Sequence, residues 1–176
     1  FISLALLKPA ETPPEEKPDP PIIENPDPVE QFETFVKPYT NTEVQIIRKF
    51  WSVDKSIDDQ LASIIVYGSS YYNSKGVSYA NQDQEFDVIA SLSGTVKKVT
   101  ESAINGKVIL LDHGDGIETE YMSLSEVNVA EGDEVTQGEV IGKSGFREND
   151  VSAGNHLHFK IIVNGKEYDP EIMIGK

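Results

Sequence analysis

Short apolar runs of period two recur along the chain from residue 61 onward, and each run ends at a turn signal. Alternation of apolar and polar side chains predicts strands that bury one face. The predicted strands cover residues 61–67, 95–100, 107–112, 117–122, 134–142 and 156–163. The segments between them are typical of hairpin turns: Asn105-Gly106, His113-Gly114-Asp115-Gly116, Glu131-Gly132-Asp133 and Asn164-Gly165. Residues 61–176 are therefore predicted to form a mainly β domain with a compact antiparallel sheet.

A different spacing precedes this region. Val44, Ile47 and Trp51 recur at intervals of three and four, the period of one helix face. The spacing predicts a leading α-helix over residues 43–53, followed by a charged turn, within a segment that covers 40–60. This helix carries more apolar surface than one face needs. Part of it is a candidate partner contact; the alternative is that all of it packs on the sheet.

The first 38 residues have another composition. Nine of the ten prolines lie at or before Pro38, and acidic residues are scattered among them. Proline fixes φ and lacks an amide donor. The segment also has few apolar side chains that could be buried in a core. Residues 8–38 are therefore predicted to be a disordered acidic linker whose deletion leaves the domain's stability unchanged. Residues 1–7 are apolar but too few to span a bilayer, and we interpret them as the remnant of a membrane anchor.

The composition of the chain argues against several classes of function. The chain of 176 residues has a formal net charge of −15, which argues against binding nucleic acid or an anionic membrane surface. It has no cysteine, which excludes disulfides, thiolate metal sites and cysteine nucleophiles. Metal or acid–base chemistry must therefore come from the three histidines and the carboxylates. Of these histidines, His113 falls in a glycine-rich turn and is predicted to lie on the surface.

The other two histidines are separated by one residue. His156 and His158 point to the same side of a strand, because side chains on a strand alternate between its faces. Such a pair could be half of a zinc site, or a metal ligand beside a general base. The alternative is an exposed pair on a polar sheet face.

An ordered series of motifs accompanies this pair. In chain order they are Gly94-Thr95-Val96, Thr119-Glu120-Tyr121-Met122-Ser123-Leu124-Ser125, Gly132–Gly138, Ile141-Gly142-Lys143-Ser144-Gly145 and Gly154-Asn155-His156-Leu157-His158-Phe159. The series resembles the LytM or lysostaphin-type metallopeptidase domain over residues 74–172. The resemblance implies that family's fold and, for its active members, a zinc ion with three protein ligands and a water that attacks peptide cross-links of cell wall.

The implied catalytic set is mostly missing here. The first two ligand positions of the family fall on Ser74 and Ser78, and a histidine that acts on the water falls on Ser123. His158 remains as the third ligand and His156 as the general base. A serine hydroxyl is a poor zinc ligand, and losing two ligands should cost on the order of 6–8 kcal/mol of binding. We therefore expect no zinc, no other cofactor and no peptidase activity.

A narrower resemblance concerns one sporulation subgroup of the family. It is carried by segments such as Arg48-Lys49-Phe50-Trp51, Ser74-Lys75-Gly76, Phe86-Asp87-Val88 and Ser152-Ala153-Gly154. The resemblance implies a domain that is anchored in the forespore membrane and faces the space between the forespore and mother-cell membranes. It also implies a mother-cell membrane partner similar to stage III sporulation protein AH, with which it forms a scaffold or channel. Two alternatives are a regulator or peptidoglycan-binding pseudo-peptidase, and an active endopeptidase with rearranged ligands.

Overall fold

A computed structural model describes residues 33–175. Its helical elements are the short helices α1 (Ile57–Leu61) and α2 (Pro170–Met173) and a 3₁₀ segment, Glu148–Ala153. Its strands are β1 (Gln45–Arg48), β2 (Ile64–Tyr67), β3 (Ser70–Asn73), β4 (Val77–Ala80), β5 (Asp87–Ile89), β6 (Gly94–Ser102), β7 (Gly106–Asp112), β8 (Ile117–Val127), β9 (Glu134–Val135), β10 (Val140–Ser144), β11 (Leu157–Val163) and β12 (Lys166–Tyr168).

Ten of these strands form one antiparallel sheet with a main order of β1-β4-β11-β8-β7-β6-β9. Strand β10 pairs with β5 and β8, β12 pairs with β11, and β2 and β3 form a separate hairpin. The predicted antiparallel β-domain is confirmed. The predicted strand 134–142 is divided into β9 and β10 by the turn around Gly138, which has a φ of +86°.

The core lies on one face of the central strands. Tyr121 on β8 and Phe159 on β11 are directly paired and fully buried, with ring centroids 5.1 Å apart. Leu157 and Ile161 lie on the same face of β11, since they are two residues from Phe159 in either direction. The opposite face of these strands therefore carries the intervening positions, which include His158.

The predicted leading helix over residues 43–53 is wrong. Residues Gln45–Arg48 form edge strand β1, in which Ile46 pairs with Tyr79 of β4. The β-branched isoleucines suit a strand, and only Val44 of the apolar series is buried, so the spacing of three and four did not mark a helix face. The helix that precedes β2 is α1.

The start of α1 has a local cause. The Ser56 hydroxyl accepts a hydrogen bond of 3.2 Å from the Asp59 amide, which satisfies one free donor of the first turn. Asp58 and Asp59 add negative charge at the same end.

The end of the predicted disordered linker is also part of the folded unit. Phe35 and Tyr39 are buried in the core, and the Tyr39 ring lies 5.0 Å from that of Tyr79. The Val36 amide donates to the Ser91 carbonyl at 3.0 Å. The prediction of disorder is thus wrong for residues 33–38, because apolar side chains of this segment pack in the core of the domain.

Residues 1–7 and the linker up to residue 32 lie outside the described residues. Within residues 33–175, the helices are too short to cross a bilayer.

Candidate functional site

Strands β4, β8 and β11 bring the predicted site residues together. His158 on β11 is paired with Ser78 on β4 and with Met122 on β8, so these positions share one face. His156 immediately precedes β11 and forms a bridge with Gly145. Ser123 adjoins Met122, and its φ of +68° marks an irregular position near the end of the β7–β8 pairing. Four of the five predicted residues therefore meet at this face.

Each histidine is hydrogen-bonded to one of the serines at which the sequence predicts a missing family residue. Ser78 Oγ lies 2.9 Å from His158 Nδ1, and Ser123 Oγ lies 2.9 Å from His156 Nε2. His156 Nδ1 lies 2.8 Å from the Gly154 carbonyl, which can only accept, so Nδ1 carries the proton. The Ser123 hydroxyl consequently donates to Nε2. Ser123 thus completes the polar contacts of His156, and Ser78 pairs with Nδ1 of His158.

Ser74, the fifth predicted position, is not hydrogen-bonded to either histidine. Its hydroxyl donates to the Gly76 carbonyl at 2.7 Å, and its amide donates to the Ser63 carbonyl at 3.0 Å. Gly76 has no room for a side chain, because an added Cβ would overlap the carbonyl oxygen of Phe159. Ser74 therefore satisfies the backbone where the chain enters β4.

The histidine face is closed to solvent. Ser78, Ser123 and His156 have no exposed surface, and His158 is 2% exposed. Burial lowers the pKa of His156 to about 4 and lowers that of His158 well below its usual value, so both rings are neutral near pH 7. The alternative of an exposed pair on a polar sheet face is thus wrong.

These residues do not fit a zinc ion. Zinc requires imidazole, carboxylate or thiolate ligands, and two of the three predicted ligand positions, Ser74 and Ser78, offer hydroxyls. The described residues contain no group of three or more histidines and carboxylates that could hold a metal. The arrangement supports a hydrogen-bonded polar cluster rather than an activated water.

Three charged residues that the sequence analysis did not assign lie against this face. The carboxylate of Asp150, fully buried, accepts hydrogen bonds from Arg48 Nε at 2.7 Å and Nη2 at 2.6 Å. Arg48 Nη1 also donates to the Ile64 carbonyl, so the cluster joins β1, β2 and the 3₁₀ segment. Arg147 is 2% exposed, and its Nη2 lies 3.7 Å from Asp150. The polar stretch around Arg147 looks like an exposed loop, and no local sequence signal marked it as buried.

His113 does not lie on the surface as predicted. It is half-buried, with Nδ1 donating to the Ser93 carbonyl at 2.7 Å and Nε2 accepting from the Thr119 hydroxyl at 2.7 Å. Thr119 shares its sheet face with Ile161 in the core, opposite His158. His113 therefore belongs to a structural contact and not to the histidine pair.

Comparison with known proteins agrees with the predicted family. The sequence profile of peptidase family M23 matches residues 72–170. Stage II sporulation protein Q of Bacillus subtilis (strain 168) is 40% identical over 141 residues, which are 79% of this chain and 50% of that protein. The chain thus spans about half the length of this relative.

Two solved structures are also similar over most of the described chain. A chain in "Structure of the SpoIIQ-SpoIIIAH pore forming complex" is 39% identical with a TM-score of 0.78, over 81% of this chain and 91% of that one. A chain in "Crystal Structure of SpoIIIAH and SpoIIQ Complex" is 38% identical with a TM-score of 0.77, over 80% and 99% respectively. The resemblance to the LytM-type domain and its sporulation subgroup is confirmed: this chain belongs to peptidase family M23.

Proposed function

We propose that this chain is a non-catalytic, membrane-anchored sporulation protein that acts as a scaffold or channel component. Its degenerate M23 domain binds a mother-cell membrane protein similar to stage III sporulation protein AH. The observation that carries the proposal is its similarity, at a TM-score of 0.78, to a chain of the SpoIIQ–SpoIIIAH complex that it covers to 91%.

The site chemistry supports the non-catalytic part of this proposal. Ser74 and Ser78 replace two zinc ligands, and Ser123 replaces the second histidine that acts on the water. His156 and His158 are neutral and buried, so no peptide substrate reaches them in this conformation. Without zinc, the domain has no means of generating a metal-bound hydroxide at neutral pH.

The proposed location follows from the same similarity. The domain faces the space between forespore and mother cell, and the part of the chain before residue 33 connects it to an anchor in the forespore membrane. This arrangement suits the relative named as a stage II sporulation protein. It also places the partner's membrane on the opposite side of the same space.

We propose that the partner binds at sheet edges rather than at the histidine face. Strand β1 is an edge of the main sheet, and its Ile46 and Ile47 are about 40% exposed, at 39% and 41%. An edge strand offers free amides and carbonyls for an added strand. With a net charge of −15, the domain suits a basic or neutral partner surface, and association should slow as salt rises.

Binding of peptidoglycan is the main alternative and would use an open groove over the old metal site. The burial of His156 and His158 argues against it. One experiment separates the two functions: the purified chain is incubated with the ectodomain of stage III sporulation protein AH and, separately, with isolated cell wall. Co-purification with the ectodomain is expected. Retention on cell wall without binding to the ectodomain would overturn the proposal.

A further inference from the structure

The face that carries the two histidines also carries a buried cation. Gly145 and His156 form an antiparallel bridge, so these positions share one face. Arg147 follows Gly145 by two residues and is itself extended, with a φ of −141° and a ψ of 145°. His158 follows His156 by two residues. The period of two therefore places the Arg147 side chain on the face of both histidines, whereas Phe146 points away and is 48% exposed.

The guanidinium of Arg147 is incompletely paired. Within residues 33–175, its buried Nε and Nη2 have no hydrogen-bond partner. Asp150 Oδ2 lies 3.7 Å from Nη2, which is beyond hydrogen-bond distance, and both oxygens of Asp150 already accept from Arg48. Two guanidinium groups thus share one carboxylate, and the cluster keeps a net positive charge away from solvent.

This charge acts on both histidines. Arg147 and both histidines lie on one face and are at most 2% exposed, so little water screens the guanidinium from either ring. A protonated imidazole and a guanidinium repel each other strongly where water is excluded. A divalent metal ion at the same face would be repelled by the guanidinium more strongly still.

We infer that Arg147 supplies the positive charge of this face in place of a metal ion, and that it excludes divalent cations independently of the missing ligands. The inference rests on the proposed absence of zinc and adds a second cause for it. Loss of ligands removes attraction for the ion, whereas Arg147 adds repulsion. Restoring the ligands alone is then insufficient to restore a metal site.

The test restores the two ligand positions with and without the arginine. The first variant carries Ser74→His and Ser78→Asp, and the second carries Arg147→Met in addition. Zinc affinity is measured by competition with a chromophoric chelator. We expect the second variant to bind zinc at least about 100-fold more tightly, which corresponds to about 2.8 kcal/mol. Lys98→Met on the ligand-restored chain is the matched control, because it removes an exposed positive charge, and it should leave zinc affinity nearly unchanged.

Arg147→Lys on the same background should keep zinc out, because it keeps the charge. If the methionine variant does not fold, as judged by circular dichroism, Arg147→Gln provides the same comparison. Equal zinc affinity with and without the arginine, including no binding by either chain, would overturn the inference. The experiment uses no protein partner, so its outcome is independent of whether the proposed complex forms.

Discussion

Arg48 and Asp150, which are 102 residues apart in the sequence, form a bidentate ion pair with N–O distances of 2.7 and 2.6 Å. The Asp150 side chain is fully buried and the Arg48 side chain is 12% exposed. The pair fixes edge strand β1 to the 3₁₀ segment that leads into His156. It therefore couples the proposed partner-binding edge to the closed histidine face.

Asp150→Asn should destabilise the domain by about 3–5 kcal/mol, because it leaves two buried guanidinium groups without an anion. Unfolding in urea, followed by tryptophan fluorescence, would measure the change. Lys143→Met is the control, since it breaks a solvent-exposed ion pair with Glu85 and should leave the midpoint almost unchanged. An Asp150 variant as stable as the parent chain would mean that the cluster relaxes without cost.

Phe35→Ala should lower the free energy of unfolding by about 3–5 kcal/mol, since the ring is 8% exposed and its removal leaves a cavity in the core. Thermal denaturation of two truncated chains provides a second measurement. A chain that begins at residue 33 should keep the parent melting temperature, whereas one that begins at residue 40 should melt several degrees lower. Equal melting temperatures for both would contradict the role given to residues 33–39.

The purified chain should contain no stoichiometric zinc and should release no fragments from cell wall. The reason is that Ser74 and Ser78 supply no zinc ligands. Elemental analysis after chelator-free purification checks the metal, and muropeptide analysis checks the activity. One tightly bound zinc per chain, or a hydrolase activity that His158→Ala abolishes, would refute this prediction.

Ile47→Asp should weaken binding to the ectodomain of stage III sporulation protein AH by tenfold or more, while leaving the circular dichroism spectrum intact. The substitution puts a charge on the β1 edge, where an added strand would lie. Ile104→Asp is the matched control, because Ile104 is 49% exposed in the turn between β6 and β7. Biolayer interferometry would compare the two. Equal losses would place the interface elsewhere.

His113 should make the domain less stable as pH falls. Burial lowers its folded pKa below the ordinary value of 6.5, although Asp112, Glu33 and Glu118 act in the opposite direction. The unfolded chain therefore binds a proton first, and stability that is fully present above pH 6.5 is lost as pH falls from there through the lower folded pKa. In His113→Gln, the free energy of unfolding should fall less steeply between pH 7 and 5. The difference in slope should correspond to at most about one bound proton. An unchanged slope would contradict this account.

The sheet was largely predictable from sequence because its signal is local. Turn residues such as Asn105-Gly106 mark the hairpins, and the alternation along β8 and β11 places Tyr121 and Phe159 in the core. The burial of the opposite face, at His158, was not predictable from that alternation. The same local rule was wrong at residues 43–53. There, the pairing of Ile46 with Tyr79 is non-local, and it prevailed over an apolar spacing that is too short to distinguish a helix from a strand.

The histidine pair was also predictable in part. Period two correctly placed His156 and His158 on one face, and the family resemblance placed Ser78 and Ser123 beside them. Arg147 was not predictable, because its burial depends on the Gly145–His156 bridge and on contacts that come from a distant part of the chain. No local sequence feature predicts that a charged side chain within a polar stretch is buried.

The pairing of residues 33–38 with the domain limits how far the proposed membrane tether can extend. Glu33 accepts hydrogen bonds from the Ser93 amide and hydroxyl, both at 2.8 Å, and Pro38 accepts one from the Ile89 amide at 3.0 Å. These residues are held along the sheet and cannot add to the length of an extended linker. At about 3 Å per extended residue, fixing residues 33–38 shortens the maximum reach by roughly 18 Å. The distance between the proposed anchor and the domain would therefore be governed by the chain before Glu33.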